Sequence, residues 1–176
     1  MNSSNTYRFA SEIQTVLEFC DDSAEDFIRR LTSDKEIIFL IDENVYSLYF
    51  KDLTLSVPFY LIKTGERNKT LSQSQKIYNF LLSQNCSRSH TIVVLGGGMS
   101  TDLGAWVAGT FKRGTRLWLV PTTLLAMVDA SIGGKTAVNH QNIKNCIGHF
   151  YPADRVLICP SFLNTLSQDE YYNGLA

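Results

Sequence analysis

The sequence predicts an α/β fold, a parallel sheet with helices on both faces. Three observations carry that prediction. Short, nearly unbroken apolar runs at 36–41, 59–62, 91–95, 116–120 and 155–158 are bounded by glycine, proline or polar residues, as strands buried on both faces require. Segments of helical periodicity lie between them, and such alternation closes as a parallel sheet with helical crossovers. At 91–108 the two patterns meet: five apolar or β-branched residues run into Gly96, Gly97 and Gly98, after which Met99, Leu103, Trp106 and Val107 recur at helical spacing.

Taken in order, the opening stretch 7–20 is ambiguous and leans towards strand. Residues 22–31 read as a helix capped by Asp22 or Ser23, with Phe27, Ile28 and Leu31 as its apolar face. The run 36–41 is the first clear buried strand; it ends in Asp42, Glu43 and Asn44, followed by a short amphipathic piece through Phe50. A second strand follows Pro58 and closes on Lys63 to Glu66. The spacing then predicts a helix over 72–83, with Ile77, Phe80 and Leu81 inward. After the glycine turn come the strand 116–120, stopped by Pro121, and the strand 155–158, followed by a helical tail with Phe162, Leu163 and Leu166.

A chain of 176 residues suits one domain. Sixteen Lys and Arg against seventeen Asp and Glu give a net charge of −1, so no electrostatic case exists for nucleic acid or a membrane surface. No apolar run approaches the roughly 20 residues a membrane-spanning helix needs, and residues 1–8 lack a signal peptide's apolar core. Cys20, Cys86, Cys146 and Cys159 are scattered, as reduced thiols of a cytoplasmic protein would be, and no His or Cys spacing predicts a metal site within the chain.

The chemistry gathers at the strand ends. In an open parallel sheet ligands bind beyond the carboxyl ends of the strands, and there lie Asp42 and Asn44, Glu66 and Lys69, Gly97 and Gly98 with Asp102, and Thr122 and Thr123. Glycine lets main chain approach an anion, and the N–H groups at a helix start favour phosphate. The triplet is not G-x-G-x-x-G, and a ligand-free tight strand-to-helix turn is the alternative it leaves open. A second dense stretch, 121–136, contains Asp129 and Gly133-Gly134-Lys135-Thr136. The latter resembles the tail of a P-loop, but the earlier glycine and the preceding strand are missing, so an ATPase is rejected. Asp129, Lys135, Lys144 and Asn145 together could bind a phosphorylated, hydroxylated small molecule; read alone, Asp129 and Lys135 are equally a solvated ion pair on a loop. Arg113 could simply complement a helix C-terminus.

The order and spacing of Gly96-Gly-Gly-x-x-x-Asp102-Leu103, Arg113-Gly114, 120–126, Val128-Asp129, Gly133 to Thr136, Val138-Asn139, Lys144-Asn145 and Ile147-Gly148 resemble those of the 3-dehydroquinate synthase family. Asp42-x-Asn44 and Glu66-x-x-Lys69 match its earlier motifs, and the similarity runs from about Glu36 to the end. Iron-type alcohol and glycerol dehydrogenases share the fold and the triplet, but lack the arrangement from Asp129 to Asn145. The resemblance implies a Rossmann-like domain that binds NAD through Asp42, Asn44, Thr64, Glu66, Lys69, Gly97, Gly98, Met99, Ser100, Thr101, Asp102, Thr122, Thr123, Leu125, Lys135, Lys144, Phe162, Leu163, Asn164, Thr165 and Leu166. It implies that Asp129, Lys135 and Asn145 face a phosphorylated sugar-acid substrate, with Arg113 reaching a phosphate across a homodimer interface. Ala130 stands where the family usually has serine, and Met99-Ser100-Thr101 replaces a more apolar stretch. It further implies that residues 1–176 are the N-terminal NAD-binding domain. A C-terminal helical domain, absent here, would hold the divalent metal (zinc or cobalt), so this chain alone would be inactive. Related cyclases making an inosose or a valiolone are the same-fold alternative, and an inactive nucleotide-binding module is the alternative from another class.

Overall fold

A computed structural model describes residues 4–8, 14–33, 36–51 and 53–176, with side chains from residue 14 onward. Seven strands form one sheet: β1 (Ser4–Arg8), β2 (Gln14–Phe19), β3 (Ile37–Asp42), β4 (Phe59–Ile62), β5 (Thr91–Gly96), β6 (Arg116–Pro121) and, late in the chain, Arg155–Ile158. A separate hairpin pairs β7 (Lys135–His140) with β8 (Ile143–Phe150), which makes Arg155–Ile158 β9. The sheet order is β1-β2-β9-β6-β5-β3-β4, and six neighbouring strands run parallel, with only β1 antiparallel at the edge. The α/β, Rossmann-like expectation holds, with helices flanking the sheet. The opening stretch 7–20 holds the end of β1 and the whole of β2, and its residues 9–13 lie outside the described part.

The helices follow from their caps and faces. Ser23, rather than Asp22, caps α1 (Ala24–Leu31), its Oγ accepting the Asp26 N–H at 3.2 Å. Asp42 caps α2 (Glu43–Tyr49), and Thr70 caps α3 (Leu71–Ser83), in which Ile77 and Leu81 are buried while Phe80 is only half-buried against Tyr60. Helix α4 (Gly98–Thr110) begins on the last glycine of the triplet and lies so close to the sheet that a Cβ on Gly104 would meet Val94 Cγ2 at 2.5 Å. The tail is a 3-10 turn, Pro160–Thr165, followed by α5 (Gln168–Asn173).

β3 and β5 are buried along their whole length, which explains their unbroken apolar runs. Strand β3 lies between β4 and β5, so the chain winds one way from β3 to β4 and the other way from β5 to β6. The crevice at such a reversal is open at the carboxyl ends of the strands. Here it falls between Asp42, at the tip of β3, and Gly96, at the tip of β5.

The β7–β8 hairpin was not foreseen. Lys135 and Thr136 open β7 rather than lying on a loop, and no ion pair joins Asp129 to Lys135. The turn explains why: His140 pairs with Ile143 across Gln141 and Asn142, at φ 48° and 65°. Two positive φ values make the tight hairpin turn that twisted strands favour, but glutamine is not the residue by which such a turn is recognised. β8 is also largely exposed, so it lacks a clean apolar alternation.

Candidate functional site

The crevice at the β3/β5 reversal opens into a groove of about 510 Å³. Asp42, Asn44, Thr64 and Glu66 line one side; Gly97, Gly98, Met99 and Ser100 form its floor at the start of α4. Thr122, Thr123 and Leu125 follow β6, and Phe162, Thr165 and Leu166 close the far side. Thus Asp42, Gly97 and Thr122, contributed by three different strand ends, share one cleft.

Glycine shapes its floor. A Cβ on Gly96 would lie 2.6 Å from Ser100 Cβ and 3.1 Å from Asp42 Cβ, and one on Gly97 would lie 3.0 Å from Thr123 Cγ2. At Gly96 only bare main chain fits, and at Gly97 a methyl would press on the end of the Thr123 side chain. Among the described residues no side chain caps α4, which leaves its first-turn N–H groups without a side-chain competitor for an anion. Asp42 is 7% exposed and organises the rim. Its Oδ1 accepts from the Asn44 N–H at 2.9 Å and from Thr64 Oγ1 at 3.1 Å, and its Oδ2 accepts from Ser100 Oγ at 2.8 Å. One carboxylate therefore joins β3, the loop after β4 and α4. Glu43 Oε1 fixes the same loop by accepting the Thr64 N–H at 3.0 Å.

A second cavity of about 550 Å³ adjoins the other side of α4 and is lined by Asp102, Asp129, Ala130, Lys135, Asn145 and the face of the hairpin. Gly98 in the groove and Ala130 in this cavity approach so closely that a Cβ on Gly98 would be 3.4 Å from that of Ala130. Between the two sites sits Lys69, only 2% exposed, whose Nζ donates to Asp102 Oδ2 and to Asn145 Oδ1, each at 2.5 Å. Burial pushes the Asp102 carboxyl above its ordinary range; Lys69 opposes that shift, and the charges of Glu66 and Asp129 add to it.

Several expected residues line neither cavity in the way anticipated. Lys69 is committed to its ion pair. Thr101 is buried, its hydroxyl donating to the carbonyls of Gly97 and Gly98 at 3.2 and 3.0 Å. Leu163 packs on the core, Asn164 is exposed, and Lys144 borders a shallower hollow beside Arg67 and His140. Lys135 and Asp102 fall in the second cavity rather than the groove, and Arg113 lies in an exposed turn at φ 65°. Conversely, the groove also uses Val45, Leu48 and Tyr49, one face of α2, with Ser167 and Glu170. The helical spacing of the first three was readable; that α2 faces this crevice was not. Tyr49 joins the groove's ends by sharing a hydrogen with Thr165 Oγ1 at 2.6 Å. Among the described residues no three His, Cys, Asp or Glu are grouped to hold a metal ion.

This geometry can be set beside known proteins. Residues 59–173 match the family described as 3-dehydroquinate synthase N-terminal. The chain belongs to the 3-dehydroquinate synthase family. A 3-dehydroquinate synthase from Clostridium tetani is 39% identical over 173 residues, covering 96% of this chain but 46% of the relative. The chain thus spans about half the length of the curated relatives it matches. Among solved structures, a 2-epi-5-epi-valiolone synthase from Streptomyces hygroscopicus with NAD+ and Zn2+ bound superimposes with a TM-score of 0.78 at 29% identity, over 92% of this chain and 46% of that one. A 2-deoxy-scyllo-inosose synthase complexed with carbaglucose-6-phosphate, NAD+ and Co2+ gives 0.78 at 25% identity, over 98% and 50%. The 3-dehydroquinate synthase family thus accounts for the motifs, and no helix of the described residues is long and apolar enough to cross a membrane.

Proposed function

We propose that this chain is the NAD-binding half of a 3-dehydroquinate synthase, a cytoplasmic, homodimeric lyase of aromatic amino acid biosynthesis by the shikimate pathway. The reaction converts 3-deoxy-D-arabino-heptulosonate 7-phosphate to 3-dehydroquinate and phosphate. The observation that carries the reading is the pair of cavities sharing the first turn of α4, one floored by bare glycine main chain and one lined by Asp129, Lys135 and Asn145. The relative from Clostridium tetani, more similar in sequence than the valiolone and inosose synthases, supports this substrate over theirs.

The residues fit a dinucleotide. Gly97 and Gly98, the uncapped start of α4 and the Thr122 and Thr123 hydroxyls would hold its diphosphate, while Val45, Leu48 and Leu166 offer apolar surface for a base. When bound, NAD supplies reversible hydride transfer, so that a ring hydroxyl can be oxidised, the acidified C–H beside the new ketone can lose its proton as phosphate leaves the next carbon along, and the ketone can be reduced again. The chain's own groups position: Lys135 meets an anion as a point charge, and Asp129 and Asn145 meet hydroxyls. Arg113 would act on a phosphate from the partner subunit. A divalent metal, zinc or cobalt, would be held by the remainder of the longer protein.

The test is phosphate release by the full-length gene product on the heptulosonate phosphate. No release there, with turnover of glucose 6-phosphate or sedoheptulose 7-phosphate instead, would reassign it to the inosose or valiolone cyclases. No turnover at all, with no NAD binding, would leave an inactive module.

A further inference from the structure

Asn139 stands at the irregular point of the β7–β8 hairpin. Val138 pairs with Ile147 and His140 with Ile143, so Lys144, Asn145 and Cys146 all stand opposite Asn139. Such a bulge removes regular ladder partners, and within it Asn145 adopts φ 54°, in the left-handed region that asparagine tolerates better than most residues. The Asn139 amide holds the Asn145 backbone there. Its Oδ1 accepts the Asn145 N–H at 2.8 Å. Its Nδ2 donates to Glu66 Oε1 at 2.8 Å and to the Glu66 carbonyl at 3.2 Å, while its own N–H donates to the Lys69 carbonyl at 2.7 Å. Only one orientation of the amide serves all three partners, because an N–H needs an acceptor whereas a carboxylate and a carbonyl need donors.

We propose that Asn139 is a positioning residue that sets Asn145 for the sugar phosphate and ties it to Glu66 in the nucleotide groove. The inference rests on the function proposed above and adds a residue that lines neither cavity. One amide thereby fixes the spacing between the two ligand sites. The Lys69 contact to the Asn145 side chain completes the link to Asp102. Asn139→Asp would keep the acceptor for the Asn145 N–H but set like charges face to face at Glu66; Asn139→Ala would lose all three side-chain contacts.

The experiment uses the full-length protein. Asn139→Ala is expected to raise both the KM for the heptulosonate phosphate and the Kd for NAD by about tenfold, the scale of a typical lost hydrogen bond, with a smaller fall in kcat. Asn139→Asp is expected to weaken NAD by a similar factor while leaving the sugar-phosphate KM within about twofold. In a Glu66→Gln background, Asn139→Asp should cost no further NAD affinity, because the new amide can donate to the new carboxylate. Hydrogen exchange at the Asn145 amide reads the clamp without turnover and should accelerate in Asn139→Ala but not in Asn139→Asp. Unchanged exchange in Asn139→Ala, or equal loss of both ligands in the two variants, overturns the proposal. If the wild-type protein fails to turn over the sugar phosphate, the functional reading falls, and the exchange and NAD measurements still decide the role of Asn139.

Discussion

Asp42, His149 and Cys146 each show how much a single side chain decides. Asp42 caps α2 and accepts from Thr64 and Ser100. Asp42→Ala should lower stability by about 2–3 kcal/mol, a lost cap plus a buried serine hydroxyl left unpaired, measured as a shift in the urea midpoint. His149 is a different case. Thr136 Oγ1 donates to the His149 carbonyl at 2.9 Å and so must accept from the ring Nδ1–H at 3.1 Å. That leaves Nε2 as a bare acceptor, buried against Gly109 without a partner among the described residues. Burial lowers the ring's affinity for a proton below its ordinary value. The unfolded chain therefore binds that proton more readily, and folding stability falls as pH drops below about 6.5. Between pH of about 7.5 and about 5.5, His149→Ala should show a shallower loss of urea midpoint than wild type. The cysteines separate by exposure: Cys20, Cys86 and Cys159 are buried, with the Cys20 thiol raised to about 11 by desolvation, while Cys146 is exposed beside Asn145. A native thiol titration should label Cys146 first, and a Cys146→Ser chain should lose that fast phase.

Elements meet at glycines. Gly104→Ala would drive a methyl into Val94 and lift α4 from β5, an overpacking that should cost about 1–3 kcal/mol by chemical denaturation. Gly97→Ala meets only the end of the Thr123 side chain, at 3.0 Å, and its φ of −76° suits alanine. It should therefore leave stability nearly unchanged and weaken NAD binding, measured by titration of the full-length protein. The contrast separates a glycine kept for packing from one kept for a ligand. Strand and helix identities along 36–121 were legible because buried parallel strands leave unbroken apolar runs and helices leave a 3.6-residue period. The hairpin was not legible: β8 is exposed, its turn uses Gln141-Asn142, and its bulge at 144–146 breaks any alternation.

At the scale of the molecule, the sheet's reversal at β3/β5 puts the strand tips into one groove, and the hairpin packs a second cavity across α4. Both cavities are open to solvent, and large apolar side chains at their rims, Leu48, Leu125 and Phe150, are 58%, 43% and 76% exposed. A ligand bound there keeps much of its own surface in water, so contact free energy is small. NAD titrated into the isolated chain should bind only weakly, in the millimolar range, and the chain alone should release no phosphate from the sugar phosphate. Submicromolar binding by the isolated chain would contradict this account of the groove.

The sequence by itself determined the parallel sheet, the glycine turn into α4 and the polar strand tips, because each is a local pattern of period or composition. Only the tertiary structure decided how those tips are used. Asp42 proved to be a rim organiser as much as a groove residue, Lys69 a buried partner of Asp102 and Asn145, and Asn139 the joint between the two cavities. The physical reason is separation along the chain. Lys69 and Asn145 become neighbours only when β7–β8 docks beside α3 and α4, and a hydrogen bond closed over that distance leaves no periodic trace in either segment.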